Sequence, residues 1–272
     1  MIKTTIFSAL ITVLFSSVAF SQTIDGFVTD ARTHKPLPYV NVGIVAHGIG
    51  TVTATDGSFK IKLTDNETDS LRISMIGYQP KKFAVTQIKK LNKLLEIDLD
   101  PDDRQLKEVK IISRKYKERV LGNTTRSKTV NAGFGSNDLG NEIGEIIKIK
   151  KKPTYIKQFN ASINENISDS VVLRLNFYSV KDGLPDKSIL NQNIIVTVKK
   201  GQDMITVDLQ PYHIMVEDNF FVSLEWIKNM QGHGIKFSAS FFGGPMIVRE
   251  TSQAKWEKFG IAGVGFNVLA EY

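Results

Sequence analysis

Four histidines and no cysteine among 272 residues leave metal or nucleophilic chemistry to His, Ser and the carboxylates. A zinc hydrolase pattern of the His-x-x-Glu type sets an imidazole and a carboxylate on one ion and keeps a position open for water. The residues three places beyond His34, His47, His213 and His233 are Leu37, Gly50, Val216 and Lys236, so that pattern is absent. His213 and Glu217 stand four apart, a metal-pair spacing on a helix, but the local pattern is extended and separates them along a strand. Gly133-Phe134-Gly135 lacks the third glycine of a dinucleotide loop, whose place is taken by Asp138. Ser136 follows Gly135 without the rest of a nucleophile elbow. The acid pairs Asp102-Asp103 and Glu142 with Glu145 fall in stretches that read as linker. The expectation is no catalytic residue, no cofactor and no metal.

Binding chemistry is easier to find. Residues 104–157 hold 14 Lys or Arg against 5 Asp or Glu, more than the whole chain's net charge of +7. The candidates for an anionic partner are Lys148, Lys150, Lys151 and Lys152. An envelope protein or an anionic glycan fits such a patch, with membrane association arising through partners. No nucleic-acid module accompanies it, so nucleic acid is not expected. Trp226 lies on the apolar face of its run and reads as core. Trp256, between Lys255 and Glu257, is the candidate for stacking on a sugar ring.

The elements that must position these residues are strands. In the first hundred residues, seven short runs succeed one another between turn signals: 24–30, 39–46, 51–54, 58–63, 70–75, 79–85 and 94–99. Val40, Val42, Ile44 and Ala46 share one face, as do Phe59, Ile61 and Leu63. Pro80 predicts an edge strand, since it cannot donate to a central ladder. No helix is expected there. About nine further runs fill residues 143–272, each bounded by turn residues such as Asp182-Gly183 or Gly243-Gly244-Pro245.

The N-terminus has the layout of an export signal. Lys3 is followed by no charge until Asp25, Ile6 to Phe15 is apolar, and Ala19-Phe20-Ser21 offers a cleavage site before Gln22. The expected localisation is therefore periplasm, outer membrane or cell surface.

Ile24-x-Gly26-x-Val28-x-Asp30, Pro36-Leu37-Pro38-Tyr39-Val40-Asn41-Val42, Gly50-Thr51-Val52-Thr53, Asp56-Gly57-Ser58-Phe59 and Leu71-x-Ile73-Ser74-x-Ile76-Gly77-Tyr78 together resemble the carboxypeptidase-regulatory-like domain of Bacteroidetes envelope proteins. The resemblance implies a seven-stranded, transthyretin-like sandwich over 24–99. The matching residues are turn formers and core apolars, so it implies a fold and no peptidase activity. Leu106 to Ile112 is similar to the run that joins this domain to the plug in TonB-driven receptors. Gly140-x-Glu142-Ile143-Gly144, Asn191-x-Asn193-Ile194, Val207 to Ile214 and Phe221 to Trp226 resemble the C-terminal half of a subset of the same proteins.

The fold expected is all-β: a signal peptide over 1–21, a transthyretin-like sandwich over 22–100, a basic linker over 101–142 and a jelly-roll-like β-sandwich over 143–272. The function expected is a non-enzymatic exported envelope module for binding or structure. Two alternatives stand. One is a small outer-membrane barrel, because Val264, Phe266, Val268, Ala270 and Tyr272 alternate like a barrel's last strand. Against it, Asn193 to Val198 and Met204 to Leu209 are shorter than the roughly 9–11 residues a spanning strand needs. The other is a glycan-active hydrolase using separated carboxylates. The leading reading requires two closed layers and no convergence of buried ionisable groups.

Overall fold

The computed structural model describes residues 22–63, 69–91, 94–102, 117–136, 138–228 and 234–272. The export signal, the Leu106 to Ile112 run and His233 lie outside the described residues.

The first domain is a two-layer sandwich of seven strands. They are β1 (Gln22–Asp30), β2 (Asn41–Ile44), β3 (Gly50–Val52), β4 (Ser58–Leu63), β5 (Ser70–Ser74), β6 (Lys81–Ala84) and β7 (Leu95–Leu99). One sheet runs β4-β1-β7, with β1 and β7 parallel, and the other runs β3-β2-β5-β6. Their period-two rows meet in a core that includes Val28, Val42, Ile44, Ile61, Leu71, Ile73 and Ile97. The strand after Pro80 lies at a sheet edge, as expected. One element was not expected: a helix, α1 (Val85–Leu91), follows β6. Val85 and Ile88, three apart on one helical face, enter the core, and Lys89 and Lys90 complement the dipole at its C-terminal end.

The second domain is a larger sandwich. Its strands are β8 (Glu118–Gly122), β9 (Asn131–Gly133), β10 (Glu142–Ile147), β11 (Thr154–Asn166), β12 (Ser170–Lys181), β13 (Leu184–Ser188), β14 (Ile194–Lys199) and β15 (Met204–Asp208). They continue with β16 (Met215–Val216), β17 (Phe220–Trp226), β18 (Ile235–Phe241), β19 (Met246–Arg249), β20 (Glu257–Phe259), β21 (Ala262–Val264) and β22 (Phe266–Glu271). The seven-stranded sheet runs β13-β12-β17-β10-β19-β20, with β14 also on β12. The eight-stranded sheet runs β21-β18-β11-β22-β8, with β15 and β16 on β11 and β9 on β18.

The space between the layers is filled by apolar side chains. Phe266 meets the rings of Phe159 at 5.4 Å and Phe237 at 5.0 Å, both edge-on. Two separate sheets with this core between them make this half a sandwich. Trp226 is buried in it against Phe134 at 5.3 Å, in keeping with its core assignment.

The linker expectation for 101–142 is corrected over the part described. β8 pairs with β22 and β9 with β18, so residues 118–133 contribute strands to the second domain. Glu142 and Glu145 are not linker residues either, because both sit within β10.

Candidate functional site

Each strand of the seven-stranded sheet points alternate residues to opposite faces. On the inner face lie Leu173, Leu175 and Phe177 of β12 with Val222 and Leu224 of β17. The outer face carries Arg174, Asn176 and Tyr178. Strand register then sets four ionisable groups in a single row. Arg174 is opposite Glu225, Glu225 opposite Glu142, and Glu142 opposite Arg249. The row runs Arg-Glu-Glu-Arg across β12, β17, β10 and β19, and all four side chains are buried. This corrects the expectation that no buried ionisable groups converge.

The row is densely bonded. Arg174 donates to Glu225 Oε2 from Nε at 2.9 Å and from Nη2 at 2.7 Å. Arg249 Nη2 meets Glu142 Oε2 at 2.5 Å and faces Glu225 Oε1 at 3.8 Å. Asn176 Nδ2 donates to both Glu142 Oε1 (2.9 Å) and Glu225 Oε2 (2.8 Å), and the Ser223 hydroxyl donates to Glu142 Oε1. Burial, together with the neighbouring Glu225, pushes the Glu142 carboxyl up against the pull of Arg249. The carboxylates around Arg249 hold its guanidinium protonated in spite of burial. Two positive and two negative groups leave the row with no net charge, the arrangement that makes burial of ions tolerable.

The first domain covers this face. Arg174 Nη1 donates to the Tyr39 carbonyl at 2.7 Å, and Nη2 donates to Asn41 Oδ1 at 2.6 Å. The Ser252 hydroxyl reaches the same Asn41 oxygen, Arg72 donates to Gln253 Oε1 at 2.7 Å, and the Ala46 amide donates to the Gln253 carbonyl. Close approach is made possible by two glycines facing each other on β2 and β3, Gly43 and Gly50. A Cβ would come within 2.4 Å of the Ser252 carbonyl oxygen at Gly43 and 2.1 Å at Gly50.

Beside this contact lies a groove of about 630 Å³ between the domains. Phe27, Tyr39, Thr51 and Lys60 line it from the first domain, Leu139 and Lys228 from the second. A second hollow of about 400 Å³ adjoins it, with Lys62 on one side and Asp138 and Glu250 on the other.

The residues singled out from sequence are dispersed. Lys148 and Lys150 are exposed, Lys151 sits 5.9 Å over the Tyr272 ring, and Lys152 pairs with Asp218. Trp256 is half-buried. The Arg249 guanidinium lies 4.6 Å over its ring, and Tyr178 and Phe221 meet it edge-on at 5.7 and 5.2 Å. One face intended for a sugar is therefore occupied by an arginine. His213 ends a short 3-10 turn (Gln210–Tyr212) in the left-handed region. Among the described residues no group of three or more His, Asp or Glu is placed to hold a metal ion.

Glu145 sits on the opposite face of β10 from Glu142, as a step of three requires. It accepts one bond from the Asn123 amide at 3.1 Å, and its other oxygen has no hydrogen-bond partner. Burial raises its carboxyl to about 8.

Sequence reasoning missed this network because its members lie far apart in the chain. A signal was present: Arg174 and Glu225 each sit among large apolar residues of their strands, where an unpaired charge would be prohibitive.

Residues 24–111 match the family model of the CarboxypepD_reg-like domain. The first domain is thus of that type, with the expected fold. No curated protein matches the chain. Two solved structures show distant likeness. The cysteine protease and lectin-like domains of Cwp84, a surface layer associated protein of Clostridium difficile, align at 7% identity and TM-score 0.42 over 93% of this chain. This chain spans 59% of that one. A Bacteroides uniformis protein proposed to bind carbohydrate aligns at 12% identity and TM-score 0.22, over 83% of this chain and 97% of that one.

Proposed function

We propose that the chain is a non-enzymatic module exported to the cell envelope, and that it binds an envelope protein or an anionic glycan with its two sandwiches held in one pose. The observation behind this reading is the use made of Arg174. Its guanidinium joins Glu225 on one side and the Tyr39 carbonyl and Asn41 on the other, so the charged row serves to fasten the domains together. Paired carboxylates are also the raw material of glycoside hydrolysis, where one must stay protonated and both must reach the sugar. Glu142 and Glu225 are fully buried; three of their four oxygens bond to Arg249, Arg174, Asn176 or Ser223, and the fourth, Glu225 Oε1, is enclosed without a hydrogen-bond partner, so burial denies a substrate approach.

The binding surfaces available are the interdomain groove and the lysines of 148–152. The test is a screen of the secreted chain against purified envelope proteins and anionic polysaccharides. Binding that weakens on raising salt, and on the combined change Lys148→Glu with Lys150→Glu, supports the reading. Hydrolysis of a glycan that disappears in Glu142→Gln sinks it.

A further inference from the structure

The second sandwich has a corner where two chain segments cross between its sheets side by side. One joins β18 to β19, the other β20 to β21. They are tied by the Phe242 amide, which donates to the Ile261 carbonyl at 3.0 Å. Register places Phe241 opposite Ala262 and Met246 opposite Phe259, so residues 242–245 cross beside the shorter crossing of residues 260–261.

This corner carries four large apolar side chains in water. Phe241 is 59% exposed, Phe242 88%, Phe259 62% and Ile261 61%. Together they present roughly 500 Å² of apolar surface, at the size where a patch on a soluble domain marks a contact. Phe242 also adopts φ 64°, a left-handed backbone that a bulky side chain resists. Gly243 and Gly244 follow directly, so residues suited to such a turn are at hand, and the strained position still holds a phenylalanine.

The shape and the charges point to one occupant. A Cβ on Gly244 would meet nothing within 4 Å, and one on Gly260 nothing nearer than 3.9 Å, so the outer side of the corner is open, while a Cβ on Gly243 would come within 2.9 Å of Asn123 and Ser240 on its inner side. Lysines stand at the same end of the sheet, two of them next to the exposed carboxylates Asp182 and Glu257. Lys258 precedes Phe259 and its Nζ lies against Gly183, which places it beside the Lys181 turn. Exposed Lys148 directly follows β10, whose C-terminal end lies beside the start of the antiparallel β19. Exposed apolar side chains with Lys148, Lys181 and Lys258 at the same end of the sheet match an anionic lipid surface, where the rings enter the acyl boundary and the ammonium groups meet phosphates.

We propose that this corner is a membrane-insertion edge, with Phe242 and Ile261 as its apolar tips and Lys148, Lys181 and Lys258 as its phosphate contacts. It is separate from the interdomain row and the groove and shares Lys148 with the basic surface proposed above; the serine variant, which leaves that surface intact, tells the two readings apart.

The experiment is co-sedimentation of the mature chain with vesicles of equimolar phosphatidylglycerol and phosphatidylethanolamine, with pure phosphatidylcholine vesicles alongside. The chain should pellet with the anionic vesicles. Phe242→Ser with Ile261→Ser, checked to melt as the parent does, should lower partitioning by about tenfold or more. Lys148→Glu with Lys258→Glu should lower it on the anionic vesicles and leave the phosphatidylcholine control unchanged. A chain that stays in the supernatant overturns the proposal, as does equal pelleting of parent and serine variant. Concentration-dependent self-association abolished by the serine changes, without vesicle binding, also overturns it and assigns the corner to a second copy.

Discussion

Glu142 and Glu225 face each other directly across β10 and β17, two carboxylates on neighbouring strands with no exposed surface. Like charges so placed destabilise a sheet unless each has its own counter-ion. Arg249 supplies one and Arg174 the other. Because Arg174 also bonds to Tyr39 and Asn41, the balance of this pair is tied to docking of the first domain.

Removing one member should therefore cost more than removing an ion pair whole. Arg174→Met leaves Glu225 buried without its main partner and is expected to lower stability by about 3–5 kcal/mol. Adding Glu225→Leu should restore a good part of the loss. Urea unfolding of the two variants checks this, and a double variant no more stable than the single would contradict it.

The facing glycines Gly43 and Gly50 set how closely the domains approach. Gly50→Ala forces a methyl toward the Ser252 carbonyl, an overpacking of about 1–3 kcal/mol. The first domain should then loosen from the second, and calorimetry should resolve two transitions where the parent shows one. A single transition at the parent's temperature would show that the approach is not tight.

Glu145 makes stability depend on pH. Its carboxyl titrates near the ordinary 4.5 when unfolded and at about 8 when folded, so the native state holds the proton more tightly. Its contribution is full below pH 4.5 and falls as pH rises toward 8, by up to about 1.4 kcal/mol per unit. Glu145→Gln should flatten that slope in denaturation midpoints measured across the range. An unchanged slope would place the titration elsewhere.

Asp30 has the opposite sign. It accepts from the amides of Arg32 and Thr33 and from the Tyr78 hydroxyl, each at 2.8 Å, which lowers its carboxyl from 3.8 to about 2. Its contribution is present above pH 3.8 and is lost as pH falls toward 2. Tyr78→Phe should shift the acid-unfolding midpoint of the first domain upward, and acid titration followed by circular dichroism would detect it.

The strand rows were legible in the sequence because a half-buried sheet writes burial as period two. Phe59, Ile61 and Leu63 carried that pattern, and the structure buries all three. Helix α1 was not legible, since seven residues give scarcely two turns and Val85 continues the preceding strand's pattern. Strands β8 and β9 were hidden by surrounding Gly, Asn and Ser, and gain their order from β22 and β18 far along the chain. The charged row was least legible. Each strand contributes one member, and only the register of four strands shows that they touch.

The reach of Arg174 to Asn41 also has a consequence for biosynthesis. The first sandwich can fold as soon as its seven strands have emerged, yet the surface that will seat its neighbour stays wet while more than a hundred further residues are made. Mating of the halves is a late event, and a chaperone guarding the β2–β3 hairpin in that interval would be shielding an unfinished seam.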